Sequence, residues 1–353
     1  MSKKIDKIIS FIFISLFIII FSYYNFWEYN KFYKIHQNQI ISKKEVLNDA
    51  LKFSLKDIKE YKNIDFYNTP NKQLIDNLVN KIKNAKKRIY VEVYILTEKR
   101  LEKALVNARK NNKNLDIKVI LEKNPYMAPW LNRKAYDFLI KNNINVVYSN
   151  TNNFSLNHTK MILIDDIVFL STWNFTYSSF VYNREFMLFI KNESLLKSLN
   201  QIFLWDFYWK LVYIYNTNLV LSPVYSRIKI EKILNQAKND IKMYFPYLDD
   251  KELTKILINK SKQWLNIKLI TWKDSEKHKD EINILEKNNI KIKILKKPKL
   301  HAKSILIDNK YLYIWSINFS RYSLDKNREI WIIFKNSNII DKFNKVFKND
   351  FLN

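Results

Sequence analysis

With 353 residues, 47% of them apolar and 15% aromatic, the chain has room for an anchor plus a core of roughly 300 residues in two lobes, and its apolar content excludes a disordered protein. Cysteine is absent, which excludes disulfides, thiolate zinc sites and a lipoprotein cysteine together and leaves the redox compartment open. The 61 Lys and Arg against 34 Asp and Glu give a formal charge of +27, suited to phosphate polymers or an anionic membrane surface, although part of it accompanies a general abundance of residues with A- and T-rich codons.

From Ile8 to Tyr24 there is no charge, only Ser10, Ser15 and Ser22 interrupt the apolar run, and Phe26 and Trp27 follow as interfacial aromatics. This predicts an N-terminal transmembrane helix, a membrane anchor over residues 1–27. Lys3, Lys4 and Lys7 precede it and no small-x-small cleavage site follows. The expected topology is an uncleaved single-pass signal anchor with the remainder of the chain outside the cytoplasm.

Residues 28–62 are polar and Lys-rich and read as a spacer with some helix. At Thr69-Pro70 the pattern changes: Thr69 can cap a helix with Pro70 in its first turn, and Leu74, Ile75, Leu78 and Ile82 form one apolar face. The run from Arg88 to Leu96 reads as a buried strand, followed by a helix through Leu101, Ala104 and Leu105 and a strand at Ile117–Leu121. Strand and helix alternate as in an α/β sheet.

The order then recurs, with helix over Ile228–Ala237, strand over Ile241–Tyr247, helix over Leu253–Ile258 and strand over Ile267–Thr271. Leu-Asp-Ile-Lys-Val-Ile at 115–120 matches Leu-Asn-Ile-Lys-Leu-Ile at 265–270. The fold expected is therefore α/β, with two pseudo-symmetric lobes of mixed sheet flanked by helices. The first lobe is placed at 63–215 and the second at 216–353, with the junction at Asn216–Pro223.

Glycine is absent, where about 7% is ordinary usage. Trp130, Trp264 and Trp315 stand where turn chemistry favours glycine. The expectation is that some of these tryptophans, Trp315 above all, stand at UGA codons read as glycine in the cell. A genuine tryptophan fits better at Trp205 and Trp209, in an aromatic helix.

The repeat is sharpest where polar residues interrupt strands. His158-Thr-Lys160-Met-Ile-Leu-Ile-Asp165 leads through Thr172 and Asn174 to Asn183-Arg184-Glu185. His301-Ala-Lys303-Ser-Ile-Leu-Ile-Asp308 leads through Ser316 and Asn318 to Asn327-Arg328-Glu329, with the same nine residues from Asn174 to Asn183 as from Asn318 to Asn327. His and Lys two apart on a strand share a face, while the Ile-Leu-Ile run buries the strand behind them. Two such faces brought together hold two His, two Lys and two Asn. That set suits a phosphodiester: Lys160, Lys303, Asn174, Asn318, Thr172 and Ser316 for the phosphate oxygens, and His158 and His301 as nucleophile and acid. Glu185 and Glu329 can each orient and charge-stabilise a His. His36 and His278 read as ordinary surface residues.

At these residues the chain resembles the phospholipase D superfamily, whose signature is His-x-Lys-x-x-x-x-Asp followed by Gly-(Ser/Thr)-x-Asn. The resemblance runs from about residue 63 to the end, and the signature occurs twice. It implies a pseudo-twofold pair of lobes, Asp165 and Asp308 as structural members of the motif, a covalent phosphohistidine with His158 as nucleophile, and neither metal nor cofactor. The family's glycine position holds Ser171 in the first copy and Trp315 in the second. The implied substrate is a phospholipid at the membrane, hydrolysed or transferred to an alcohol as in cardiolipin formation. Nucleic acid is the alternative partner, as for a membrane-anchored nuclease, and no protein partner is predicted.

Overall fold

The structure, a computed structural model, describes residues 42–126, 128–210, 212–272, 279–316 and 318–352. The expected membrane span at 8–24, His36 and His278 lie outside the described residues, as does the side chain of Trp315. Among the described residues no helix is long and apolar enough to cross a membrane.

The described residues begin with α1 (Lys43–Lys52) and a short 3-10 turn at Leu55–Asp57 capped by Ser54. This part of the expected spacer is built into the second core: Phe53, Leu55 and Ile58 are buried against Ile230, Ile233 and Leu234. Then follow β1 (Ile64–Asn68), α2 (Gln73–Lys83), β2 (Arg88–Val93), α3 (Lys99–Asn111), β3 (Asp116–Leu121), α4 (Arg133–Lys141), β4 (Asn145–Tyr148), β5 (Lys160–Ile164) and β6 (Ile167–Ser171). The first half closes with α5 (Tyr177–Val181), β7 (Asn183–Arg184), β8 (Phe186–Ile190) and α6 (Glu193–Phe207). The second half runs β9 (Leu219–Ser222), α7 (Ser226–Asn235), β10 (Asp240–Tyr244), β11 (Leu248–Asp249), α8 (Lys251–Lys262), β12 (Asn266–Trp272), α9 (Lys279–Lys287) and β13 (Lys291–Leu295). It ends with β14 (Lys299–Leu300), β15 (Ser304–Ile307), β16 (Tyr311–Trp315), β17 (Phe319–Ser320), α10 (Arg321–Asp325), β18 (Glu329–Phe334) and α11 (Ser337–Leu352).

Two seven-stranded mixed sheets result, ordered β4-β3-β2-β5-β6-β8-β1 and β13-β12-β10-β15-β16-β18-β9. The orders correspond strand for strand, so the internal repeat seen in the sequence is a repeat of topology. In each sheet three parallel strands meet an antiparallel set at the strand that follows His-x-Lys.

The expected elements are present with shifted ends. α2 begins at Gln73 with Lys72 as its N-cap, later than Thr69-Pro70 predicts, and the Thr69 hydroxyl instead donates to the Asn183 carbonyl at 2.7 Å. Its apolar face, Leu74, Ile75, Leu78 and Ile82, is buried as expected, each side chain contributing about 1.5–3 kcal/mol. β2 stops at Val93: the Tyr94 amide still bonds the Thr159 carbonyl at 3.0 Å in register with β5, but the Thr159 amide turns away to the Asn157 side chain at 3.0 Å.

Among the described residues, positive φ occurs at Asn143, Asp165, Asn289, Asp308 and Asn309, residue types that tolerate it, and at two tryptophans, Trp209 (59°) and Trp264 (69°). Both tryptophans sit one residue past a helix C-cap in a Schellman turn. Lys210 N bonds Trp205 O and Trp209 N bonds Asp206 O, and likewise Leu265 N bonds Lys260 O and Trp264 N bonds Ser261 O. Asn143 and Asn289 fill the same position after α4 and α9. Trp264 thus stands where glycine chemistry is required, as its sequence context predicts. Trp209 joins it, against the expectation of an aromatic helix residue, because the helix ends at Phe207. Trp205 is buried within α6.

Candidate active site

His158 and Lys160 lead into β5, and His301 and Lys303 lead into β15. Behind them Met161–Ile164 and Ser304–Ile307 are buried on both sheet faces, which fixes the entry of each strand. Asp165 and Asp308 lie at the opposite ends of the strands. Asp165 accepts the amides of Lys86, Lys87 and Arg88 at 2.8, 2.7 and 3.1 Å, and Asp308 those of Lys238, Asn239 and Asp240 at 3.0, 2.7 and 3.2 Å. Burial raises the Asp165 carboxyl, but the three backbone donors outweigh it and hold the group below the usual range.

The two histidines are held by carboxylates of the opposite lobe. His158 Nδ1 is 3.0 Å from Glu329 Oε2, and His301 Nδ1 is 2.7 Å from Glu185 Oε1. Backbone bonds make the exchange rigid. His158 N donates to Arg328 O at 2.9 Å and Arg328 N to Leu156 O at 2.9 Å, while His301 N and Ala302 N both donate to Arg184 O at 3.2 and 2.8 Å. β14 pairs with β7 in parallel. Each Asn-Arg-Glu segment therefore buttresses the other copy's histidine, and the two copies form one site.

Thr172 and Ser316 differ from their expected place on the phosphate. Thr172 Oγ1 donates to Glu185 Oε2 at 2.6 Å and Ser316 Oγ to Glu329 Oε2 at 2.7 Å. A hydroxyl has one proton to give, and here both are committed to the carboxylates. Asn174 and Asn318 are half-buried in the loops before α5 and α10, each accepting a backbone amide through its own carbonyl, from Thr176 and Ser320.

Burial dominates the electrostatics. It lowers His158 to about 4, with Lys160 adding to the shift and Glu329 opposing it. It also lowers His301, where Glu185 opposes and Lys303 adds. Lys303 falls to about 8 through burial, opposed by Glu185 and Glu329, and burial likewise holds Lys160 well below the ordinary lysine range. For both glutamates burial alone raises the carboxyl, yet the neighbouring imidazole and ammonium groups prevail and hold them low. The ammonium groups reach back to the chain, Lys160 Nζ to His158 O and Lys303 Nζ to His301 O, both at 2.7 Å. Tyr94 packs edge-on to His158 with centroids 4.8 Å apart, and Lys160 lies 5.3 Å above the Tyr94 ring. The arrangement presents two imidazoles anchored at Nδ1 beside two buried cations. Among the described residues no group of three or more His, Asp or Glu could hold a metal ion.

Sequence reading missed the partners of the two arginines. Arg184 pairs with Asp350 on α11 at 2.6 and 2.8 Å, and Arg328 with Asp206 on α6 at 2.7 and 2.6 Å. Each pair joins one lobe's Asn-Arg-Glu to the other lobe's last helix. A signal was present, since each Asp falls 22 residues beyond the Arg of its own copy. Asn157 was missed as well: its side chain donates to Glu92 at 2.7 Å and accepts Thr159 N at 3.0 Å, while its amide donates to Glu122 at 2.7 Å.

Residues 78–207 and 230–351 match the family described as "Cardiolipin synthase, PLD-like domain". No curated protein matches. Among solved structures, phosphatidylserine synthase from Haemophilus influenzae Rd KW20 superposes with a TM-score of 0.68 at 14% identity over 87% of this chain and 90% of its own. Polyphosphate kinase from Porphyromonas gingivalis gives 0.63 at 14% identity over 81% of this chain, which spans only 50% of that protein. Nuc from Salmonella typhimurium, a phospholipase D family member, gives 0.38 at 22% identity over 43% of this chain and 98% of its own. With the family matched in both halves and each half carrying its His, Lys, Asn and Glu, the chain belongs to the phospholipase D superfamily.

Proposed function

We propose that the chain is a phosphodiesterase of the phospholipase D type, acting on phospholipid phosphodiester bonds through a covalent phosphohistidine. The observation that carries this reading is the exchanged pair of His–Glu contacts, which ties Nδ1 of each histidine to the other lobe and leaves Nε2 as the nitrogen for chemistry. His158, held neutral near pH 7 by burial, is the nucleophile. Its Nε2 lone pair forms the N–P bond as the P–O bond to the leaving alcohol breaks, and that oxygen takes a proton from His301. Water then attacks phosphorus and yields its proton to His301, and the N–P electron pair returns to His158. An alcohol in place of water gives transfer.

His301 needs a proton that burial and Lys303 disfavour in the empty site. The negative charge of the bound phosphodiester offsets the two ammonium groups, so His301 takes up its proton together with the substrate. Lys160, Lys303, Asn174 and Asn318 hold the non-bridging oxygens, while Thr172 and Ser316 hold the glutamates.

A lipid substrate is favoured by the apolar Ile8–Tyr24 run, read as a signal anchor that keeps an extracytoplasmic site at high effective concentration beside the bilayer. The cardiolipin synthase-like family description and the fold likeness to a phosphatidylserine synthase agree with it. The +27 charge supports a nuclease as the second reading. Full-length protein assayed side by side on phosphatidylcholine, phosphatidylglycerol and single-stranded DNA tests the choice. Release of a lipid head group is expected, and cleavage of DNA alone would overturn the lipid reading.

A further inference from the structure

The repeat provides an internal comparison for a second basic site, remote from the histidines. In the first lobe Tyr90 and Lys118 lie opposite each other on β2 and β3, on the face covered by α6. Lys118 Nζ is 2.6 and 2.8 Å from the two Asp116 oxygens, and the Tyr90 hydroxyl also donates to Asp116. Tyr90 stacks on Phe203 at 4.7 Å, and Lys118 lies over the Tyr90 and Phe207 rings at 5.3 and 5.9 Å. The lysine is neutralised by a built-in carboxylate and sealed by aromatic rings.

In the second lobe the same register puts Lys242 opposite Lys268, and Lys268 opposite Lys291, so three lysines lie side by side across β10, β12 and β13. Asn266 stands where Asp116 stood, and Lys242 where Tyr90 stood. The Asp116 carboxylate and the Tyr90 ring are thus gone, while Asp240 stands in the place of Arg88 and Phe351 still covers Lys268. What remains is a cavity of about 440 Å³ lined by Lys242, Lys268, Lys348, Asn309, Asn344 and Phe351. Lys242 Nζ donates to Asn309 Oδ1 at 3.1 Å and Asn344 Oδ1 at 2.8 Å, with Asp240 at 3.6 Å. Lys268 Nζ lies 5.5 Å over the Phe351 ring and, among the described residues, makes no ion pair. Like charges on adjacent strands repel, and Lys242, Lys268 and Lys348 together around one open cavity call for an anion.

We propose that this cavity is a binding site for a phosphate group, a compact, multiply charged anion suited to point-charge ammonium donors. It is distinct from the reaction centre: Asn309 follows Asp308, at the far end of β15 from His301, a strand path on the order of 20 Å. Because α11 contributes Asn344, Lys348 and Phe351, binding there is read directly as thermal stabilisation.

The test follows melting temperature of the full-length protein against inorganic phosphate for wild type, Asn266→Asp, which restores the first lobe's carboxylate, and Lys348→Ala, an exposed position that tolerates truncation. Each variant is expected to need at least tenfold more phosphate for the same rise. The phosphate concentration that inhibits phosphodiester turnover, which reports on the reaction centre, is expected to stay unchanged. Variants that respond to phosphate as wild type does would overturn the site, whether or not the chain shows turnover. Repeating the titration with glycerol 3-phosphate and with dioctanoyl phosphatidic acid separates the sources. Equal responses identify a free phosphate compound, and a stronger response to the lipid identifies a head group whose chains lie along Phe351.

Discussion

Replacing Glu329 by Gln removes a charge while keeping volume. Glu329 is fully buried, and its Oε2 faces His158 Nδ1 at 3.0 Å and the Ser316 hydroxyl at 2.7 Å. A charge-assisted hydrogen bond contributes about 1.5–3 kcal/mol, and two unit charges about 4 Å apart interact by about 4 kcal/mol at an effective dielectric near 20. At about 1.36 kcal/mol per decade, turnover should fall between about tenfold and a thousandfold. Glu329 also opposes the burial that lowers His158 to about 4. Without it the imidazole loses its proton at still lower pH, so the acidic limb of the rate profile should move down. The assay is steady-state hydrolysis of bis(p-nitrophenyl) phosphate from pH 3 to 8, with a urea midpoint to establish that the variant is folded. Full turnover in Glu329→Gln, or an acidic limb that moves up, would refute the exchanged His–Glu pairing as a catalytic device.

Activity should survive EDTA under the proposed mechanism, in which the buried Lys160 and Lys303 supply the charge stabilisation that other phosphodiesterases take from ions; complete loss restored by a divalent cation would contradict this. Glu92, buried beside Asp206, is raised by burial from 4.5 to about 8, so the folded state binds a proton the unfolded state lacks between those values. Stability should therefore fall as pH rises through that window, and Glu92→Gln should flatten the dependence in urea titrations. Trp264 is 95% exposed at φ 69°, so Trp264→Gly should raise stability by about 1 kcal/mol in urea unfolding, as relief of a left-handed conformation predicts. The positive φ at Trp209 and Trp264 and the family's glycine position at Trp315 lead us to expect UGA codons at 209, 264 and 315 and glycine masses in the native peptides, and UGG codons there would refute this.

The architecture was legible because it is written twice. Alternating apolar strands and helices, the matched segments at 115–120 and 265–270, and the doubled His-x-Lys pattern fixed the two lobes and the residues that converge. What stayed hidden was which copy serves which. Spacing along one strand cannot reveal that Glu329 crosses to His158, or that Arg328 reaches Asp206 in the other lobe, because those contacts depend on how two sheets abut. Thr172 and Ser316 read as phosphate ligands in the sequence, and only geometry shows their hydroxyls donating to Glu185 and Glu329. Trp209 was misread because a one-residue error in a helix end decides whether a side chain packs or caps.

The most direct measurement is to quench turnover of a phosphate-labelled phosphodiester in acid-free conditions and map the label by peptide mass. The account predicts phosphate on His158, lost in His158→Ala and no longer turned over in His301→Ala. Label on His301 would reverse the two roles, and a rapidly turning over enzyme with label on neither histidine would contradict the shared-site mechanism.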